Sequence, residues 1–232
     1  MSLPRFLAVV VAAGSGERMG AGVPKQYLPL AGRTVLEHAL QPLLDHPQLE
    51  RLVVVLAADD TRFAATAAAR SARVVTAVGG RTRAESVAAG LAELADAEAD
   101  TPVLVHDGAR PCLGRGDIDR LLAAFGPHGA LLALPVRDTL KRAHADPPGV
   151  TATVDRADLW QALTPQAFPL GPLRTAIAAY GVDVTDESQA MERAGYAPVL
   201  VAAEAANLKV THPGDVELAE LILTRVRGRG AQ

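Results

Sequence analysis

Residues 9–38 read VVVAAGSGERMGAGVPKQYLPLAGRTVLEH. With the preceding Phe6, Leu7 and Ala8 the stretch opens as the apolar run FLAVVVA, short enough for a buried strand. It breaks into a loop with Gly14, Gly16 and Gly20, ending at Pro24-Lys25. Thr34 and Glu37 then stand at capping-box spacing before VLEHALQPLL, which marks the start of a helix. Strand, glycine loop and helix together form one unit of a parallel α/β sheet, in which ligands bind beyond the carboxyl ends of the strands.

The same rhythm continues down the chain. RLVVVLA, RVVTAV, PVLVHD and ALLALPV read as buried strands, and Thr82 with Glu85 repeats the capping box before SVAAGLAEL. After Val136 the pattern becomes polar-apolar around DPPG, which predicts a β-hairpin arm over 136–158. Such an arm must bury its apolar positions, and a second subunit is the expected place. YAPVLVAAE and NLKV read as two further strands, HPGDVELAELILTRV as a closing helix with Pro213 near its start, and RGRGAQ as a disordered tail. The expected architecture is a single Rossmann-like three-layer α/β domain over 1–232, with a mostly parallel central sheet and a projecting dimerisation arm.

Composition narrows the function. The 232 residues are 49% hydrophobic with a net charge of -3, which suits one sizeable core and gives no basic footprint for nucleic acid. The first apolar run is too short to span a membrane. A single cysteine, Cys112, excludes a disulfide within the chain and favours a small buried hydrophobe in a reducing, cytoplasmic setting. Of 23 basic residues only Lys25, Lys141 and Lys209 are lysine, so a compact ammonium is suspected where each occurs.

The opening loop matches neither familiar phosphate cradle. Its glycines lack P-loop spacing, with Lys25 too late, and Met19 stands where a dinucleotide fingerprint needs glycine. What remains is a Gly-Ser-Gly turn exposing backbone N–H groups, with Arg18 and Lys25 at opposite ends. That set suits a triphosphate, although solvated charges flanking a simple turn fit the spacing equally well.

The stretch resembles the N-terminal signature of sugar nucleotidyltransferases, PKQY points to the cytidylyltransferases among them, and the family it most resembles is that of the 2-C-methyl-D-erythritol 4-phosphate cytidylyltransferases. GGRTRAESVAAGL, VHDGARP, VRDTLK, VDRADLWQALTPQAF, TDESQAME and NLKVT resemble the remaining signatures in order, with Gly108 where the family usually has alanine. The resemblance implies transfer of CMP from CTP to a sugar-alcohol phosphate, with release of pyrophosphate. It also implies Mg²⁺ carried mainly by the triphosphate and a homodimer joined through the arm.

It implies roles as well. Arg18 and Lys25 become transition-state stabilisers. Ala12, Ala13, Gly14, Ser15, Gly16, Gly80, Ser86, Asp107 and Gly108 become the nucleotide site, with backbone groups near Ala12, Ala13 and Gly80 selecting cytosine together with Ser86. Asp107, Arg110, Thr139, Arg156, Thr185 and Lys209 become the acceptor site, Thr139 and Arg156 reaching a neighbouring subunit, and Asp107 is the one weak metal candidate. The nucleophile is a phosphate oxygen already largely ionised at neutral pH, so no general base is needed and His106 receives no catalytic role. Arg83 stays open between binding phosphate and pairing with Glu85 or solvent. Ribitol 5-phosphate as acceptor and a non-catalytic nucleotide-binding module remain the rival readings. A fused second enzyme is not expected from the length.

Overall fold

The computed structural model describes residues 3–14, 23–146 and 148–230, with side chains at all of these except 182 and 226–230. In chain order the elements are β1 (Phe6–Val11), β2 (Pro29–Leu30), β3 (Arg33–Thr34), α1 (Val35–Leu44), β4 (Leu49–Leu56), β5 (Val74–Val78) and α2 (Arg83–Ala92). There follow β6 (Pro102–Asp107), α3 (Arg115–Ala123), β7 (Ala130–Pro135), β8 (Leu140–His144), β9 (Gly149–Val154) and β10 (Trp160–Pro169). The chain closes with α4 (Leu170–Tyr180), α5 (Glu187–Arg193), β11 (Val199–Ala202) and α6 (Pro213–Gly230).

Seven strands form one sheet in the order β11-β7-β10-β6-β1-β4-β5. β1 pairs parallel with β4 and β6, β4 with β5, and β7 with β11, while β10 runs antiparallel between β6 and β7. The chain first builds outward from β1 through β4 to β5, then returns to place β6 on the other flank. The switch point therefore lies between β1 and β6, where Val11 and Asp107 end side by side in register.

Alternation along β1 explains the three layers. Phe6, Ala8 and Val10 pack with Leu36, Leu40 and Leu43 of α1 and Ile118 and Leu121 of α3. Leu7 and Val9 pack on the other face with Val87 and Leu91 of α2 and Leu173 and Ile177 of α4. Each fully buried leucine or valine of this kind contributes roughly 1.5–3 kcal/mol, so the strand ends that carry the site are held on a rigid floor. Both predicted capping boxes form, Thr34 with Glu37 and Thr82 with Glu85.

Within 136–158 β8 and β9 pair antiparallel as a hairpin, with Leu140 opposite Val154. Three expectations change. β10 was not read as a strand, because Gln161, Gln166 and Pro165 break its apolar pattern; Pro165 is accommodated at a register shift between Ala162 and Gln166. NLKV is not a strand: residues 207–210 carry no ladder, and the Val210 N–H donates instead to the Ala109 carbonyl in the loop after β6. The helical backbone also runs on to Gly230, into the segment expected to be disordered.

Candidate active site

An open cavity of about 230 Å³ lies at the switch point, beyond the carboxyl ends of β1, β5 and β6. Ala12, Ala13, Gly14, Lys25, Gly80, Ser86, Asp107, Gly108 and Lys209 all line it. Ser15, Gly16 and Arg18 lie outside the described residues. Arg110, Thr139, Arg156 and Thr185 do not line this cavity. Thr139 and Arg156 flank the exposed hairpin, and the Thr185 backbone N–H and hydroxyl both donate to Gln189 Oε1, at 2.8 and 3.4 Å.

The loop after β1 is closed by a residue the sequence did not single out. Gln26 is buried within the 3-10 turn Lys25–Tyr27, and its Nε2 donates to the carbonyls of Ala12 (2.7 Å) and Gly14 (3.1 Å). The Tyr27 hydroxyl donates to Asp60 at 2.7 Å and anchors the other side of the turn. Between these anchors Lys25 projects into the cavity, with its ammonium 3.0 Å from the Val210 carbonyl.

The facing wall is the start of α2. A Cβ on Gly80 would sit 2.3 Å from Glu85 Cβ, and one on Gly79 would sit 2.5 Å from Ala13 Cβ. The glycine pair thus lets the chain beyond β5 pass close both to Ala13, beyond the end of β1, and to the helix that carries Ser86. The Ser86 hydroxyl donates to the Thr82 carbonyl at 3.0 Å, which leaves its oxygen free to accept. Gly108 is a tight position as well, since an added Cβ would meet Leu36 Cδ1 at 2.9 Å.

Asp107 is the only acidic side chain lining the cavity among the described residues. Its Oδ1 accepts from Arg83 Nε at 3.1 Å and its Oδ2 from Lys209 Nζ at 2.7 Å, with Arg110 Nε at 3.8 Å. Burial works against its charge, yet Arg83, then Lys209 and Arg110, outweigh that and hold the carboxyl well below the usual carboxylate range. Arg83 does not pair with Glu85, whose carboxylate caps α2 through the N–H groups of Arg81 and Thr82. It bridges instead to Glu187, at 2.5 and 3.1 Å. Burial disfavours the guanidinium charge, but Glu187 and then Asp107 reverse that and hold Arg83 more firmly protonated than a free arginine.

Glu187 is placed by β10. Gln166 Nε2 donates to Asp186 and its Oε1 accepts from the Ser188 N–H, so one carboxamide seats the first turn of α5. His106 is fully buried behind the site. The Thr164 hydroxyl accepts from the Asp107 N–H at 3.1 Å, which leaves its own proton for His106 Nδ1 at 3.0 Å. The ring proton then sits on Nε2, toward the Arg110 carbonyl at 3.4 Å. Burial pushes this histidine down to about 4, only partly opposed by Asp107, so it is neutral at pH 7. Cys112 is buried as expected, its thiol pushed up to about 11 by burial.

No group of three or more His, Cys, Asp or Glu able to hold a metal occurs among the described residues. One carboxylate already engaged by cations suits Mg²⁺ that arrives on phosphate oxygens with its own waters, rather than an ion caged by protein. No described helix is long and apolar enough to cross a membrane.

Comparison with known proteins is consistent across the chain. Residues 6–225 match the family model described as IspD, 2-C-methyl-D-erythritol 4-phosphate cytidylyltransferase. A protein of that name from Shewanella amazonensis is 51% identical over 224 residues, covering 94% of this chain and 93% of the relative. One from Yersinia pseudotuberculosis is 48% identical over 230 residues, covering 97% of this chain and 94% of the relative. A crystal structure of 4-diphosphocytidyl-2C-methyl-D-erythritol synthase superposes with a TM-score of 0.82 at 37% identity, covering 96% of this chain and all of that one (100%).

Proposed function

The chain belongs to the 2-C-methyl-D-erythritol 4-phosphate cytidylyltransferase family, and we infer from that premise how it carries out the reaction. The enzyme transfers CMP from CTP to 2-C-methyl-D-erythritol 4-phosphate, giving 4-diphosphocytidyl-2-C-methyl-D-erythritol and pyrophosphate in the non-mevalonate isoprenoid pathway. The relatives carry this activity in their names, and none of those reported is named for ribitol 5-phosphate or for a non-catalytic role. The observation that carries the residue-level reading is the cavity at the switch point, where backbone of residues 12–14 and 80 faces Lys25, Lys209 and Asp107.

CTP lies in this cavity with its base against residues 12, 13 and 80. The Ser86 oxygen, free to accept, serves the cytosine amine or the ribose. Ser15, Gly16 and Gly108 complete the nucleotide site through their backbone. The acceptor's phosphate oxygen attacks the α-phosphorus, a new P–O bond forms, and pyrophosphate leaves with the electron pair of the broken bond. A phosphomonoester is largely dianionic at neutral pH, so no base is required, and the neutral, fully engaged His106 is unsuited to being one. Arg18 and Lys25 neutralise the charge that builds on the crowded phosphorus. Asp107 would be the protein carboxylate to hold a Mg²⁺ that arrives on the triphosphate, and the ion would supply charge neutralisation at the phosphate oxygens.

Arg110, Thr185 and Lys209 hold the acceptor. Lys209 spends one N–H on Asp107 and keeps two for phosphate. Thr139 and Arg156 come from the arm of a second subunit. What supports this is the exposure of Val150 and Leu140 on a hairpin too small to be stable alone, with Trp160 also exposed at its base. The chain works as one nucleotidyltransferase unit over 1–232 with its arm at 136–158, in the cytoplasm, without nucleic acid or membrane. Pyrophosphate release from purified protein with CTP, Mg²⁺ and each acceptor tests the reading. Turnover with ribitol 5-phosphate and none with 2-C-methyl-D-erythritol 4-phosphate would overturn it.

A further inference from the structure

Asn207 lies behind the cavity, does not line it, and has no part in the reaction as described so far. It sits in the irregular segment between β11 and α6 and is fully buried. Its Nδ2 donates to the Thr164 carbonyl of β10 at 2.9 Å, its Oδ1 meets no hydrogen-bond partner among the described residues, and its main-chain carbonyl accepts from Arg110 Nη1 at 2.9 Å. Two residues on, Lys209 reaches Asp107, and the Val210 N–H donates to the Ala109 carbonyl at 2.8 Å. The Asn207 side chain thus ties the segment that carries Lys209 to the sheet, and with it the main-chain carbonyl that holds Arg110.

With Nη1 committed to Asn207, Arg110 keeps Nε as a buried donor that no described residue satisfies in a hydrogen bond. A buried, unmet guanidinium N–H is costly unless an anion takes it up. Arg110 and Lys209 stand on the same Asp107 oxygen, at 3.8 and 2.7 Å. Their separation is set by how the 207–210 segment lies against β6 and β10. No sheet ladder fixes that segment; the Val210 N–H bond to Ala109 holds its far end and the Asn207 side chain its near end, and a misplacement of about 1 Å is enough to cost on the order of 10² in rate.

We propose that Asn207 is a positioning residue for the acceptor phosphate: its side-chain bond to Thr164 seats the main chain whose carbonyl holds Arg110 and which carries Lys209, and so fixes the two cations relative to each other. The proposal rests on the reading that these two cations hold that phosphate. It separates Asn207 from residues that merely stabilise the fold, because its loss moves acceptor binding and leaves CTP binding in place.

The test compares wild type, Asn207→Ala, Asn207→Asp and Val201→Ala, the last a buried β11 control that loosens the core without touching the Asn207 bonds. CTP affinity is measured by titration calorimetry without acceptor, and kcat and both KM values by pyrophosphate release. Asn207→Ala should raise the acceptor KM by roughly tenfold or more and lower kcat, with CTP affinity within about twofold of wild type. Val201→Ala should lower the melting temperature with both KM values unchanged. Asn207→Asp keeps the volume, lacks the donated N–H, and should show the same acceptor shift; it decides the matter if the alanine variant does not fold. An acceptor KM within about twofold of wild type in the folded variant, or equal losses for CTP and acceptor, overturns the proposal. Failure of wild type to use this acceptor would instead count against the proposed function.

Discussion

Acid should destabilise this protein through His106 before most carboxylates titrate. The ring is fully buried, is pushed down from 6.5 to about 4 with burial as the leading cause, and has both nitrogens facing protein partners. In the unfolded chain it binds a proton below about pH 6.5, whereas in the folded protein it resists until about pH 4. The unfolded state therefore binds more protons between these values, and stability rises with pH across the window. The contribution is fully present above about 6.5, falls as the pH drops, and is lost by about 4. At 1.36 kcal/mol per pH unit the whole gap is worth about 3 kcal/mol, and about 2 kcal/mol is gone by pH 5. Urea unfolding at pH 7.5, 6.5 and 5.0, at constant ionic strength, measures this for wild type and His106→Asn. The asparagine can still accept from Thr164 but cannot titrate. The variant should start less stable and lose about 2 kcal/mol less than wild type on acidification. Equal losses in the two proteins would refute the assignment of the acid sensitivity to His106.

Lys25→Ala should lower kcat by about 10² or more while CTP affinity changes far less, and matched losses in both would argue against a transition-state role. Mixed subunits carrying Arg156→Ala and Lys25→Ala should regain part of the activity if the arm completes its neighbour's site; verified exchange without rescue would place each site within one subunit. Gly80→Ala forces a Cβ against Glu85, whose carboxylate caps α2. Loss of that cap should cost about 1 kcal/mol in urea unfolding and weaken CTP binding in calorimetry, and a variant as stable as wild type would show that the loop shifts freely.

Much of this architecture is legible in the residues because it is written in short-range periodicity. A strand such as β1 declares itself by a run of apolar residues, and α1 and α2 by a threonine and a glutamate three apart, since a capping box closes within one turn. The same holds for the hairpin around DPPG and for the glycine loop whose end carries Lys25. The motif resemblance added roles to these positions, and nine of the residues it named meet in one cavity.

What the sequence could not yield are pairings between distant segments. Arg83 and Glu187 are 104 positions apart and meet only because β10 brings α5 beside α2. Gln26 looks like an ordinary polar residue until the turn folds back and its carboxamide closes the loop on Ala12 and Gly14. Asn207 belongs to a quoted motif, but its bonds to Thr164 and Arg110 exist only once an antiparallel β10 lies between β6 and β7. By itself the sequence determined the sheet strands other than β10, the caps and which cations to watch, because each depends on neighbours within a turn or a hairpin. Only the tertiary structure decided how Asp107 is surrounded, because its charge is balanced by groups that the topology, and no local pattern, gathers around it.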